Sequence, residues 1–403
     1  MKIHVVIGKN FGDEGKGLTV DYFSLLAKKK NKKCLVIRHN GGAQAGHTVD
    51  FPDKRFIFHQ LSSGSFRGAD TLWSETYLPD LYKLGEEIND FCTLSGKTPT
   101  IFADIKCRCV YIDDILINMA LETARGDNRH GSCGMGINEA VVRSATNEFL
   151  LSLGTIKGMN AHDLFCTLKR IRKNYVPLRL KELGLDIKSC GQYGELLTDN
   201  NVLENTAEQM CRNTENIKLF SPDFLNHYEE IIFEGAQGLL LDEFYLLYEP
   251  HLTSSRTGAY NPDHFCHKYM PAETVELVYV TRTYVTRHGC GPLPYADLFD
   301  HSKYHITDKT NITNDWQGSL RFAVHGTQDE FFSAVKNDIS GLQSKFTLSL
   351  MLTHLDETNG KLLTCNREIP IGTFTENICK EGLFDKLYLS QSKYANEILY
   401  KIL

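Results

Sequence analysis

The sequence predicts an α/β protein with a mainly parallel central sheet flanked by helices. Three observations predict it. Short runs of β-branched and apolar residues recur along the 403 residues. Segments with helical spacing separate them. Several runs end in glycine-bearing turns, the place where open parallel sheets bind ligands. The composition agrees, with 42% hydrophobic and 23% charged residues, as in ordinary globular chains.

The first strand is expected at Ile3–Ile7. It leads into Gly8-Lys9-Asn10-Phe11-Gly12-Asp13-Glu14-Gly15-Lys16-Gly17, and helical spacing follows over Leu18–Lys28. A strand, a glycine-rich turn and a helix start aim backbone N–H groups at one spot, which suits phosphate. Lys16 adds a cation, and Asp13 offers a hard oxygen for magnesium. The loop differs from a Walker motif, because Gly17 rather than Ser or Thr follows Lys16. A carboxylate inside a phosphate cradle is costly unless a metal or a proton-transfer role compensates. The plainer alternative is a tight turn with a solvated acidic pair.

The second strand, Cys34–Arg38, runs into His39-Asn40-Gly41-Gly42-Ala43-Gln44-Ala45-Gly46-His47-Thr48. Three glycines leave this backbone open to a ligand. His47 is the candidate general acid, since an unperturbed imidazole titrates near neutrality. The chain has 15 histidines, so a packing role is the alternative. A helix is expected over Asp80–Phe91. From about Asp113 to Pro222 strong strand runs are lacking, which predicts a mostly helical insertion that includes a helix at Ala207–Glu215.

The next strand, Glu230–Phe233, meets Glu234-Gly235-Ala236-Gln237-Gly238, with Thr253 soon after. Gln237 and Thr253 offer neutral hydrogen bonds. Val275–Thr283 is a strand ahead of Val285-Thr286-Arg287-His288-Gly289-Cys290-Gly291-Pro292. Phe346–Thr353 is apolar at nearly successive positions, as in a strand covered on both faces. Asp356 follows it, placed to accept paired N–H groups from a guanine edge or to cap a helix.

A net charge of −6 requires no basic face for nucleic acid and gives no reason for an anionic membrane surface. No signal peptide is read at the N-terminus, and no run approaches the roughly 20 apolar residues of a membrane span. A cytoplasmic protein is expected. The 12 cysteines are scattered and read as reduced thiols.

Taken together and in this order, the motifs resemble adenylosuccinate synthetase. Gly12 to Gly17 match its phosphate loop, Gly-Asp-Glu-Gly-Lys-Gly. Gly41 to Thr48 match Gly-Gly-x-x-Ala-Gly-His-Thr. Phe233 to Gly238 match Phe-Glu-Gly-Ala-Gln-Gly, and Leu252 to Ser255 match Val-Thr-Ser-Ser. Thr286 to Pro292 match Thr-Arg-x-Gly-x-Gly-Pro, and Thr353 to Asp356 match Thr-Lys-Leu-Asp.

The resemblance implies a P-loop-like, GTP-binding ligase fold over residues 1–403 as a single domain. It implies condensation of IMP with L-aspartate, with GTP as co-substrate and Mg2+ as cofactor, and a homodimer. Asp13 would be the base and a magnesium ligand, His47 the acid, and Lys16 a stabiliser of the transferring phosphoryl group. The Gly46 carbonyl would be a second magnesium ligand. GTP contacts would fall on Gly12, Glu14, Gly15, Lys16, Gly17, Gly46 and Thr48, with His354, Asp356 and Ser390 at the guanine. IMP contacts would fall on Asp13, Lys16, Gln44, Ala45, Gly46 and His47, and on Ser132, Cys133, Arg143, Gln237 and Thr253. Arg143 would reach across the dimer. Aspartate would meet Thr313, Asn314, Ser319 and Arg321.

The chain also departs from that pattern. The family's aspartate loop, Thr-Thr-Gly-Arg-Arg-Arg-Arg, corresponds to Thr313–Arg321, where Arg321 is the one cation. A dicarboxylate favours paired cations, so Arg256, Arg282 and Arg287 become candidates for the missing ones. Gly131-Ser132-Cys133-Gly134 stands for Gly-Thr-Thr-Gly. The short spacing from Asp356 to Ser390 predicts a trimmed C-terminal region. Two alternatives follow. One is a related ligase acting on a guanylate, a deoxyguanylate or another amine. The other is a nucleotide-binding protein without turnover. Asp13 favours IMP, because by the same resemblance relatives acting on deoxyguanylate tend to lose it.

Overall fold

A ten-stranded sheet organises the computed structural model, which describes residues 1–126, 129–304, 306, 316 and 318–403. In chain order its strands are β1 (Lys2–Gly8), β2 (Cys34–Arg38), β5 (Asp70–Trp73), β6 (Ile101–Ala103), β7 (Ile217–Leu219), β8 (Glu230–Glu234), β9 (Thr274–Arg282), β12 (Lys345–Thr353), β15 (Lys386–Leu389) and β16 (Leu399–Ile402). The spatial order is β16-β15-β12-β9-β1-β8-β2-β5-β6-β7. Every pairing is parallel except that of β16 with β15. Among the described residues three antiparallel pairs lie outside it: β3 (His47–Asp50) with β4 (Arg55–Phe58), β10 (Val285–Arg287) with β11 (Arg321–Ala323), and β13 (Lys361–Leu363) with β14 (Glu368–Pro370).

The helices are α1 (Lys16–Lys29), α2 (Leu81–Ser95), α3 (Ile112–Arg125), α4 (Ile137–Ser144), α5 (Leu153–Lys157), α6 (Ala161–Glu182), α7 (Gln192–Thr198), α8 (Asn200–Thr214), α9 (Tyr260–Tyr269), α10 (Gln328–Ile339) and α11 (Ile371–Glu381). Both faces of the sheet are covered. Ile3, Val5 and Ile7 of β1 share a core with Phe265 of α9, Phe331 and Val335 of α10, and Phe374 and Ile378 of α11. Val6 on the other face meets Val20, Phe23 and Ala27 of α1. Each such buried side chain contributes about 1.5–3 kcal/mol. This two-sided burial is why the central strands read as unbroken apolar runs. A third core joins Phe58 and Trp73 to α2, α6 and α8 through Leu84, Leu168 and Met210.

One charged cluster interrupts the centre. His4 of β1 places Nδ1 3.1 Å from Glu276 of β9 and Nε2 3.7 Å from Glu230 of β8. Burial opposes charge on His4, but the two carboxylates outweigh it and raise its pKa above 6.5.

The expected strands and helices are present with boundaries shifted by a few residues, except that the helix expected at Ala207–Glu215 is the second half of α8, which begins at Asn200. Asp80 caps α2, accepting from Tyr82 N at 3.0 Å and Lys83 N at 3.2 Å. The stretch from Asp113 to Pro222 holds α3 to α8 but also a strand. Three residues of β7 pair with β6 (Ile217 opposite Ile101) and form one edge of the sheet.

Candidate active site

The loops after β1, β2, β8, β9 and β12 meet at the carboxyl edge of the sheet. Gly8 shows how closely they approach. A Cβ there would lie 2.4 Å from Gln237 O and 2.6 Å from Glu14 Oε2. Within the phosphate loop the two neighbouring acids point differently. Glu14 turns inward, and its Oε1 accepts from Asn10 N and Asn10 Nδ2, both at 2.8 Å. Its Oε2 accepts from Gly12 N at 3.3 Å. Burial pushes the Glu14 carboxyl up to about 7, against Lys16 and Asn10. The Glu14 carboxylate thus serves the loop's own amides. Lys16 opens α1 and is buried. Burial lowers its pKa, against Glu14, Asp13 and Glu234.

Asp13 turns outward. Its φ is 58°, its side chain is 27% exposed, and its carbonyl accepts from Arg282 Nε at 2.5 Å. Oδ2 lies 3.5 Å from His288 Nε2. Among the described residues no group of three or more His, Cys, Asp or Glu could hold a metal ion. One outward carboxylate suits a hard cation that takes its other oxygens from phosphates, water and a carbonyl such as that of Gly46, itself exposed.

His47, at the start of β3, faces Glu234 at the end of β8. Nδ1 is 2.6 Å from Glu234 Oε1. Glu234 is fully buried and also accepts from Ser63 N at 3.1 Å and from the Ser63 hydroxyl. Burial alone would raise the Glu234 carboxyl, but His47 and Arg38 hold it down to about 2. Burial pushes the His47 imidazole down to about 4, against the pull of Glu234. The ring is therefore neutral at pH 7, with Nδ1–H donated to Glu234 and Nε2 left for a ligand. His47 is close to the phosphate loop, since a Cβ on Gly17 would lie 3.0 Å from His47 Cβ.

The nucleotide side gathers several polar groups without partners among the described residues. They are both amide atoms of Gln44, the Thr48 hydroxyl and Oε1 of Gln237. Asn40 fixes the loop after β2 to the loop after β8, donating to Ala236 O at 3.0 Å and accepting from Ala236 N at 2.8 Å. Ala45 donates its N–H to Gly42 O at 3.3 Å. Thr253 is half-buried, with its N–H on Leu241 O. Ser132 donates to Asn118 Oδ1 at 2.9 Å, and Cys133 is half-buried with its thiol pKa raised by burial. Their loop touches the loop after β10. A Cβ on Gly131, whose φ is +79°, would lie 2.6 Å from Gly289 Cα.

On the amino-acid side Arg321 stands opposite Arg287 in the β10–β11 register. Arg321 Nη2 donates to Gly289 O at 2.5 Å and to Gly291 O at 2.6 Å. Arg287 is buried and bonds Pro292 O and His251 O. Burial and then the Arg321 charge lower its pKa to about 10. No carboxylate among the described residues pairs with either arginine. Arg256 is bound to Asp242, and Arg282 to the Asp13 carbonyl and the Tyr284 hydroxyl. Ser319 is exposed. Thr313 and Asn314 lie outside the described residues.

At the guanine end Asp356 is exposed and makes no hydrogen bond among the described residues, while His354 Nδ1 lies 2.8 Å from Thr353 Oγ1. Two expectations are corrected. Ser390 is fully buried; its hydroxyl bonds Ser392 O and its N–H bonds Leu352 O, so neither faces a base. Arg143 does not reach a neighbouring subunit. Its guanidinium is wholly buried, binds Asp114 through two nitrogens at 2.8 and 2.9 Å, and donates to Phe149 O and Cys109 O.

The sequence reading did not single out Glu234, Ser63 or Arg38. Glu234 was visible as an acid directly after the apolar run Ile231–Phe233 and ahead of a glycine loop. Ser63 and Arg38 carried no comparable mark.

Comparison with known proteins agrees with this geometry. The profile of the family described as adenylosuccinate synthetase matches residues 5–362. The adenylosuccinate synthetase of Clostridium botulinum strain Alaska E43 is 29% identical over 376 residues, covering 91% of this chain and 81% of that protein. That of Bdellovibrio bacteriovorus is 29% identical over 72% of this chain, and the match spans just 64% of the relative's length. Fully ligated adenylosuccinate synthetase from Plasmodium falciparum shares the fold with a TM-score of 0.73 at 18% identity, covering 100% of both chains. Cyanophage S-2L succinoaminodeoxyadenylate synthetase, bound to dGMP with dATP as an energy donor, gives 0.61 at 14% identity, covering 99% of this chain and 95% of that one. With the profile matched over most of its length, the chain belongs to the adenylosuccinate synthetase family.

Proposed function

We propose that this protein is a carbon–nitrogen ligase that joins IMP and L-aspartate to give adenylosuccinate, with cleavage of GTP to GDP and phosphate, in AMP biosynthesis. The observation that carries the reading is the division of labour at the phosphate loop. Asp13 presents an open carboxylate, while Glu234 anchors the buried His47 beside the same loop. A purine 6-oxo group is a poor leaving group. Asp13 takes the N1 proton so that O6 can attack the γ-phosphoryl group. The polyphosphate brings negative charge beside His47 and favours its protonated form, which then donates to O6. Lys16 and the loop amides offset charge on the transferring group. The amine of aspartate displaces phosphate at C6.

Mg2+ would be held by Asp13 and the Gly46 carbonyl together with phosphate oxygens, and would neutralise developing charge. Residues 1–403 form one catalytic unit on this reading, with the helices between 113 and 222 as an insertion. A homodimer would complete its nucleotide site with a cation other than Arg143. No helix among the described residues is long and apolar enough to cross a membrane, which accords with a cytoplasmic biosynthetic role.

A second reading, a succinylating ligase for a guanylate or deoxyguanylate, is favoured by one feature: Arg321 is the sole arginine in the stretch 313–321. Purified protein with GTP, Mg2+ and L-aspartate should be given IMP, GMP or dGMP, following phosphate release and product mass. A succinylated product from IMP is expected. Turnover with a guanylate alone would overturn the IMP reading.

A further inference from the structure

We propose that His288 is a positioning residue for Asp13, holding one carboxylate oxygen so that the other faces the nucleotide. The proposal rests on the reading of Asp13 as the base. His288 is the unspecified position in Thr-Arg-x-Gly-x-Gly-Pro, so that motif gives it no role. The structure places its Nε2 3.5 Å from Asp13 Oδ2.

The loop carrying His288 is fixed on several sides. Thr286 Oγ1 donates to Gly12 O at 3.1 Å, tying β10 to the phosphate loop. Arg321 grips the carbonyls of Gly289 and Gly291. Gly131 packs against Gly289 at a distance that admits no side chain. The imidazole is thus presented to Asp13 by a frame that Asp13 does not supply. Asp13 needs such a frame, because its φ of 58° lies in the left-handed region, which costs a non-glycine residue roughly 1–2 kcal/mol. Its backbone is held by Arg282. Its side chain, partly open to solvent, has His288 as the counterpart.

The placement of the ring proton follows. His288 Nδ1 is buried with no partner among the described residues. A buried N–H without an acceptor is unfavourable, so the neutral ring carries its proton on Nε2, which faces Asp13 Oδ2 at 3.5 Å. The site then contains two imidazole–carboxylate pairs of opposite sense. Glu234 orients His47, the acid. His288 orients Asp13, the base.

Two measurements test this. In protein carrying 15N-labelled histidine, His288→Gln identifies the His288 ring resonances by their disappearance. Asp13→Asn is expected to move the His288 Nε2 resonance and to leave that of His47 in place. An unmoved resonance overturns the pairing, whatever substrate the enzyme takes. In IMP-dependent phosphate release, His288→Leu is expected to lower kcat by about tenfold or more, the scale of a misplaced catalytic group. The KM for IMP should change by less than about threefold. His288→Gln, which keeps an N–H donor, should recover most of the lost kcat. A loss confined to KM, no loss, or no recovery with Gln overturns the positioning role. A resonance shift on Asp13→Asn together with wild-type protein that releases no phosphate with IMP would support the pairing and count against the proposed reaction.

Discussion

His47 and Glu234 meet at 2.6 Å although 187 residues separate them in the chain. The carboxylate is the more constrained partner, held by Ser63 through both backbone and hydroxyl. Glu234→Gln would keep its shape and remove its charge, and would free the imidazole to adopt the other tautomer. In a comparable His–Asp pair such a change costs about 10⁴ in kcat. Here a fall of about a hundredfold or more is expected, with the KM for IMP nearly unchanged. Steady-state kinetics on the variant checks this.

Asp13 and Glu14 are adjacent but should fail differently. Asp13→Ala is expected to abolish ligation while leaving nucleotide binding partly intact and the melting temperature close to that of the parent. Glu14→Gln leaves loop N–H groups short of an acceptor, which costs about 1–3 kcal/mol in a buried setting. It should therefore lower the melting temperature. Full activity in Asp13→Ala would remove it from the role of base. Thermal melts and nucleotide titration of both variants separate the two effects.

The His4 cluster predicts a pH dependence of stability. His4 has a raised pKa, so its contribution is complete below about 6.5 and is lost as pH rises through its folded value. Glu230 and Glu276 have lowered pKa values. Burial would raise them, but His4, with Lys32 beside Glu230 and with Ser349 and Lys386 beside Glu276, outweighs it. Their contribution is present above about 4.5 and is lost as pH falls through the folded values. His4→Leu should consequently destabilise more near pH 5.5 than near pH 8.5, by a difference on the order of 1 kcal/mol. Denaturant titrations at the two pH values would show it; an equal loss at both would not fit.

Arg321 braces two carbonyls with one nitrogen and faces no carboxylate among the described residues. Arg321→Leu is expected to raise the KM for the amino acid about tenfold or more, the value of one charge-assisted hydrogen bond. The KM for the nucleotide should change far less. Equal changes in both would mean that the substitution simply loosens the Gly289–Gly291 loop.

Much of the fold was legible because the central strands are buried on both faces. β1, β2, β8, β9 and β12 stand out as apolar runs, and the loops after them carry glycines. The outer strands were not legible. β6 and β7 have three residues each, and their pairing depends on neighbours far away in the chain. The phosphate loop, His47 and Gln237 could be placed from local patterns. The inward turn of Glu14 could not, since spacing does not say which of two adjacent acids finds the loop amides. The enclosure of Arg143 depends on Asp114 and on two carbonyls from separate segments, and a single arginine in a helix gives no sign of it.

The central position of β1 also bears on how the protein is made. Lys2 pairs with Glu230, and Ile3 with Val275. The phosphate loop is synthesised before β8 and β9, so its strand has no neighbour until more than 220 further residues have followed. Such non-local pairing slows folding and prolongs exposure of apolar edges. A nascent chain stalled before β8 would carry Asp13 and Lys16 on an unpaired strand, unable to bind nucleotide and open to chaperones or proteases.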